Sequence, residues 1–234
     1  MTDATKKEKV YAVFERISRT YDQGNTYISL GMSGKWKKQF IARIADETEA
    51  GGPILDVCTG TGDIAVALAR SRPDCMITGL DFSPAMLRLA RAKGENSPNL
   101  RWLQGDAMHL PFKDNAFSAA CISFGLRNTT DYLQVLREMA RVVKKNGAVY
   151  CLDSFVPDIT LVKPFYSLYF KYLMPVIGGG LRHRQEYTWL WQSTQDFISI
   201  NELAALFTQA GLTDIQIKRV LFGACAMHTG KNKT

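Results

Sequence analysis

The chain switches repeatedly between two hydrophobic periods, and the first switch is made through a glycine turn, LDVCTGTGD, at Leu55–Asp63. The apolar run GPILDVC at 52–58 has the length of a buried strand, and residues 63–71 carry helical spacing. The pattern then repeats. CMITGLD (75–81) reads as a strand, and SPAMLRLARA as a helix with Ser83 as N-cap and Pro84 at its first position. LRWLQGD (100–106) and AFSAACISF (116–124) read as the third and fourth strands. DYLQVLREMARVVK is a long helix opened by Asp131, and GAVYCLDSF (147–155) a fifth strand. Strands alternating with helices of this length build a parallel sheet with right-handed crossovers.

Different elements flank this core. Amphipathic helical segments are expected around 7–21 and 35–47. Between 156 and 196 the alternation breaks into the aromatic, proline-interrupted run LVKPFYSLYFKYLMPVIGGG, which reads as an inserted cap. Beyond it, SINE at Ser199–Glu202 is a capping box, opening a helix that stops at Gly211. Two strand-like runs, 213–221 and 223–229, form an expected hairpin with Gly223 in its turn. The 234 residues, 46% of them hydrophobic, suit a single domain. Its expected parts are an N-terminal helical region (1–48), a cofactor-binding core (49–155), a cap insertion (156–197), and a C-terminal helix with hairpin (198–234).

No run approaches the ~20 apolar residues of a spanning helix, and the charged N-terminus lacks a secretory apolar region. The expected location is therefore cytoplasmic. Five cysteines without C-x-x-C spacing read as free thiols in a reducing compartment. The net charge of +7 draws on Lys6, Lys7, Lys9, Arg16 and Arg19, on Lys35, Lys37 and Lys38, and on Arg182–Arg184. Such a face suits an anionic membrane surface or nucleic acid, or is simply solvated.

Gly60, Gly62 and Ala65 fit G-x-G-x-x-G/A, and Asp81 ends the next strand, where an acid hydrogen-bonds ribose hydroxyls. A nucleoside cofactor is therefore expected. A dinucleotide would seat its pyrophosphate on the helix N-terminus, but Asp63 occupies that first turn and Asp56 ends the first strand. Both carboxylates repel a diphosphate and suit a cofactor bearing an ammonium and a sulfonium. S-adenosyl-L-methionine has both, plus a carboxylate for the glycine-turn amides. Asp106, beside Ala107, is placed to read the adenine amino group. The expected cofactor set is Asp56, Thr59, Gly60, Thr61, Gly62, Asp81, Phe82, Asp106, Ala107 and Ser123. No metal is expected, since His109, His183 and His228 lack ligand spacing.

The segments LDVCTGTGD, GLDFSPAML, GDAMHLPFKDNAF, SFGLRN and EMARVVKKNG resemble class I S-adenosylmethionine-dependent methyltransferases. More narrowly they resemble the quinone C-methyltransferases of menaquinone and ubiquinone biosynthesis. The likeness spans nearly the whole chain, with Tyr21-Asp22, Asn25, GKWKK at 34–38, EYTWLWQS at 186–193 and the C-terminal GACAMHTGK. It implies a Rossmann-like α/β fold: a seven-stranded, mostly parallel sheet with an antiparallel C-terminal strand, N-terminal helices and a helical cap insertion. There are departures from the family pattern. Ser33-Gly34-Lys35 replaces a His-Arg pair ahead of Trp36. Lys144-Lys145-Asn146-Gly147 replaces a KPGG turn, Ser118 an Asp, and Asp153 the Glu of an EFS motif.

The resemblance implies methylation of a prenylated quinol ring, demethylmenaquinol to menaquinol, with another quinol or a small aromatic as the alternative acceptor. It points to Arg127 and Asn128 as catalytic, and these end the fourth strand, where open parallel sheets place their sites. A guanidinium is not deprotonated, so Arg127 is expected to stabilise phenolate charge and orient a proton-carrying water; a purely structural pairing with Asp22 or another acid is the competing reading. Tyr21 is the third catalytic candidate, able to cover the cofactor or hydrogen-bond the substrate. Phe165, Tyr166, Tyr169, Phe170 and Tyr172 of the cap are expected to line a tail tunnel, rest on the bilayer, or pack as ordinary core. Expected partners are the quinol, peripherally the membrane's inner face, and no nucleic acid, with a homodimer left open. A nicotinamide oxidoreductase is disfavoured by Asp56 and Asp63. A nucleic-acid-binding module leaves the glycine turn, Asp81 and SFGLRN unexplained.

Overall fold

The computed structural model describes residues 33–157, 168 and 191–233. The expected helix at 7–21 and nearly all of the cap lie outside these residues, as do Tyr21, Asp22, His183 and the five cap aromatics. In chain order the elements are α1 (Ser33–Glu47), β1 (Ile54–Val57), α2 (Asp63–Ser71), β2 (Ile77–Asp81), α3 (Pro84–Lys93) and β3 (Leu100–Gln104). They continue with β4 (Phe117–Ser123), a 3-10 turn at Leu126–Asn128, α4 (Tyr132–Val142) and β5 (Val143–Ser154). The last are α5 (Ile200–Gln209), β6 (Leu212–Val220) and β7 (Cys225–Asn232).

Seven strands form one sheet in the order β3-β2-β1-β4-β5-β7-β6. The first five are parallel, and β7 runs antiparallel to both β5 and β6. The expected hairpin is therefore present, with Leu221–Gly223 as its turn and Gly223 at φ +88°. All of β1 and nearly all of β4 is buried, as parallel strands covered on both faces must be. Phe40 and Ile44 of α1 pack with Ile64 and Leu68 of α2 on one face. Val135, Leu136 and Met139 of α4 pack with Leu203 and Phe207 of α5 on the other.

Local signals set most boundaries. Ser83 Oγ accepts from Met86 N with Pro84 following, and Ser199 with Glu202 makes the reciprocal capping box. Asp131 caps α4 through Gln134 N at 2.9 Å. The fifth strand departs from expectation: it begins at Val143, not 147. Val143 pairs with Phe117 across a register shift, so the KKNG segment is carried within the strand, with Asn146 at φ +66°, a region Asn tolerates.

One tertiary contact went unread in the sequence. Trp102 on β3 lies in register with Gly79 on β2. A Cβ at Gly79 would sit 2.5 Å from the indole, and one at Gly62 equally close. The two glycines differ. Gly62 adopts φ +82° as well, whereas Gly79 is required only by space. Gly79→Ala should therefore destabilise the protein by about 1–3 kcal/mol through overpacking. Trp102→Leu in that background should recover part of the loss in urea unfolding. Additive losses in the double variant would refute the contact.

His228 on β7 is fully buried between the rings of Phe155 and Phe207. Its Nε2 donates to the Ile200 carbonyl at 2.9 Å. Burial pushes its pKa down to about 4 despite that bond. Because the folded value lies below the ordinary 6.5, the unfolded chain takes up the proton first and stability falls as pH drops from ~6.5 to ~4. At 1.36 kcal/mol per pH unit the full loss is about 3 kcal/mol. His228→Gln should flatten that slope in acid unfolding; an unchanged slope would place the titration elsewhere.

Candidate active site

The strand order reverses between β1 and β4, and open α/β sheets bind ligands outside the carboxyl ends of strands at such a point. A cleft enclosing about 790 Å³ of empty space, part of it open solvent, lies there. It is walled by Asp81, Phe82, Asp106, Ala107, Met108 and Asn128, among others. A second recess of about 380 Å³ is walled by Lys37, Asp56, Thr59, Thr61, Asp63 and Ile64. The two share Cys58, Gly60, Ser123 and Phe124. Nine of the ten expected cofactor residues therefore meet in these walls, with Gly62 in the same turn.

Tight backbone geometry makes the junction. Cys58 ends β1 at φ +54° and Phe124 ends β4 at φ +55°, conformations uncommon for bulky residues and concentrated at functional sites. Gly125 is required there, since its Cβ would lie 2.6 Å from that of Cys58. Gly60 has φ +57° and open space where a Cβ would stand, leaving its backbone accessible.

Asp81 is almost wholly buried. One of its oxygens accepts from Gly60 N at 2.8 Å and the other from Ser83 N at 2.9 Å. Burial raises its pKa against those bonds. Asp106 Oδ1 accepts from Met108 N at 3.0 Å, shaping the loop after β3. Two α4 residues secure that loop. Arg141 donates to the Leu110 and Phe112 carbonyls, and Gln134 to the Met108 carbonyl. Ser123 Oγ is buried in the shared wall with no hydrogen-bond partner among the described residues.

The two acids that suggested a cation-binding site behave differently from expectation. Asp56 is fully buried, accepting from Thr59 Oγ1 at 2.5 Å and from Cys121 Sγ at 3.5 Å. Burial pushes its pKa up to about 7, so it carries only part of a charge at neutral pH. Asp63 is clasped by Lys37 at 2.8 Å and by Lys93 on its other oxygen. Burial works to raise its pKa, but the two ammonium groups outweigh it and hold the carboxyl below the ordinary range. With two lysines on one acid, the turn is not a negative patch. The argument from repulsion of a diphosphate thus loses its footing. Lys37 and Lys93 were missed because each meets Asp63 across 26 and 30 residues of chain, a pairing with no local signature.

Arg127 is also placed differently. Its guanidinium, 4% exposed, lies in neither cleft wall and is ion-paired with the fully buried Asp153. Asp153 further accepts from Arg127 N at 3.4 Å and Ser154 N at 2.8 Å, and the guanidinium sits 5.8 Å from the Phe124 ring centroid. The acid partner is thus Asp153, which substitutes for the family's Glu. Asn128, in contrast, lines the cleft and donates to the Phe124 carbonyl at 3.3 Å.

The residues fit a nucleoside bearing an amino-acid end: a glycine turn open to close approach, an acid after β2, an acid–alanine pair after β3, and an orphaned hydroxyl at the junction. Among solved structures, the fold matches a S-adenosylmethionine-dependent methyltransferase of Thermotoga maritima described as a possible histamine N-methyltransferase. The TM-score is 0.67 at 20% identity, covering 96% of this chain and all of that one. It also matches Haemonchus contortus phosphoethanolamine N-methyltransferase 2 in complex with S-adenosyl-L-methionine, at TM-score 0.63 and 14% identity, over 86% of this chain and 53% of that one. Relatives named demethylmenaquinone methyltransferase are 42% identical. That of Staphylococcus epidermidis matches over 227 residues, 96% of this chain and 93% of its own. That of Bacillus licheniformis matches over 228, 97% of each. The model of the ubiE/COQ5 methyltransferase family matches residues 1–232, and the chain belongs to that family of S-adenosyl-L-methionine-dependent methyltransferases.

Proposed function

We propose that the protein methylates a ring carbon of a prenylated quinol, converting demethylmenaquinol to menaquinol. The observation that carries this reading is the near end-to-end match to relatives bearing that name. The cleft supports it. Beyond the nucleoside-side residues its wall continues through Met108, Phe124, Asn128, Thr129 and Thr130, which offer a flat apolar surface with amide and hydroxyl groups for a hydroxylated ring. A prenyl tail keeps such a substrate in a bilayer, so the enzyme works peripherally at the membrane's inner face.

When bound, the methyl donor supplies an electrophilic carbon on a sulfonium. The chain's own residues must then align acceptor and donor, exclude water, and manage one proton. Asp81 faces the ribose, and Asp106 with Ala107 the adenine. Ser123 Oγ, at the junction of the two recesses, donates to the ligand. Held by Asp81, Asp106, Ala107 and Ser123, the donor would supply its methyl to the ring carbon and leave as the neutral thioether, and the proton on that ring carbon would pass to water. Asn128 orients the ring hydroxyl. Arg127 and Asp153 act together: their ion pair anchors the turn that carries Asn128, and the guanidinium sets the field behind the phenolate. Tyr21, which lies outside the described residues, is the third catalytic candidate, as a cover for the methyl donor or a hydrogen-bond partner of the substrate, with a packed core tyrosine as the competing reading.

Substrate choice is tested by kcat/KM for a short-tailed demethylmenaquinol, a prenylated benzoquinol and a tail-less phenol. The expected order puts the naphthoquinol first; turnover of the tail-less phenol alone would overturn the reading. Arg127→Ala should lower kcat about 10²–10³-fold, as for loss of one preorganised electrostatic group. Donor affinity measured by calorimetry should stay within about 3-fold, since Arg127 is outside both walls. Equal losses in kcat and donor affinity would make the pair a purely structural one.

A further inference from the structure

We propose that Lys37 binds the carboxylate at the amino-acid end of the methyl donor, with Asp63 as the positioning residue that aims its ammonium into the recess. The glycine turn is the obvious alternative anion acceptor, but the amides of both its glycines are engaged. Gly60 N donates to Asp81, and Gly62 N to the Thr59 carbonyl at 2.9 Å. Asp63 in the first turn also offsets the positive end of the α2 dipole. A carboxylate entering this recess therefore gains from a cation in its wall.

Lys37 is that cation. It belongs to the recess wall, and its side chain is only 19% exposed. An ammonium carries three donors, and the bond to Asp63 uses one of them. Lys93 holds the opposite oxygen of Asp63 and also donates to Thr61 Oγ1 at 3.1 Å. The acid is thereby satisfied from both sides, and the cluster of Lys37, Lys93 and Asp63 keeps a net positive charge. Asp56 is the other acid in the recess, partly ionised at neutral pH and fully buried, bonded to Thr59 and Cys121. A cation at the wall with an acid on the floor complements a zwitterion.

Lys37 is held on a fixed platform. Trp36, Phe40 and Ile44 pack α1 into the core shared with α2. Arg72, just past α2, donates to the carbonyls of Ala45, Thr48 and Glu49 at the end of α1. The ammonium thus meets a ligand without first being ordered, which favours binding.

The test compares binding of S-adenosylhomocysteine, its decarboxylated analogue and 5′-methylthioadenosine, measured by calorimetry without any methyl acceptor. In Lys37→Met, affinity for S-adenosylhomocysteine should fall about 10- to 100-fold, the range of a charge-assisted hydrogen bond. Affinity for the two ligands lacking the carboxylate should change less than about 3-fold. Lys37→Gln, which keeps a donor for Asp63 without the charge, should show the same selectivity and serves if the Met variant does not fold. Lys37→Arg should largely restore binding, and Lys93→Met should not discriminate among the ligands. Equal losses for all three ligands, or no loss for any, would overturn the proposal. Failure of the wild-type protein to bind S-adenosylhomocysteine would instead contradict the methyl-donor site itself.

Discussion

One buried carboxylate organises the ligand-binding end of the sheet. Asp81 ends β2 and takes one amide from the turn after β1 and another from the turn before α3. Two βα turns that are far apart in sequence are thereby fixed to a single group at the point where strand order reverses. The cleft exists because these turns are splayed about Asp81 and packed beneath by Trp102 on Gly79 and Gly62. Burial raises the pKa of the carboxyl, and its ionised form is kept by donors that belong to the protein. That arrangement fixes the acid in the cleft wall, where the proposed site has it meet ribose hydroxyls.

Charge at the glycine turn shows how a sound conclusion can rest on an incomplete premise. Read linearly, Asp56 and Asp63 make a negative site for a sulfonium and an ammonium. In three dimensions Asp63 is overcompensated by Lys37 and Lys93, and Asp56 sits with a pKa of about 7. The recess is better matched to a zwitterion than to a bare cation. An amino-acid end has both charges, so the same ligand fits for a different reason.

Most of the fold was legible because its determinants are local. The Ser83–Pro84 start, the Ser199–Glu202 box, the Asp131 cap and the Gly223 turn each act within a few residues, and each appears where expected. The residues expected at the cofactor gather in the cleft walls because parallel topology delivers strand ends to one edge. What escaped were long-range pairs. The Lys37–Asp63 bridge, the Arg127–Asp153 pair and the Trp102–Gly79 contact join residues 23 to 26 positions apart, where no periodicity speaks. Arg127, expected at the cleft, lies in neither of its walls and is paired with Asp153, itself a departure from the family pattern.

The proposed reaction is transfer of a methyl group to a ring carbon. The direct test is a single-turnover reaction with S-adenosylmethionine carrying a 13C-labelled methyl and a short-tailed demethylmenaquinol, the product being read by carbon NMR. The account predicts one labelled signal, at the shift of an aryl methyl. A labelled methoxy signal, or label remaining on sulfur while the quinol is bound, would contradict it.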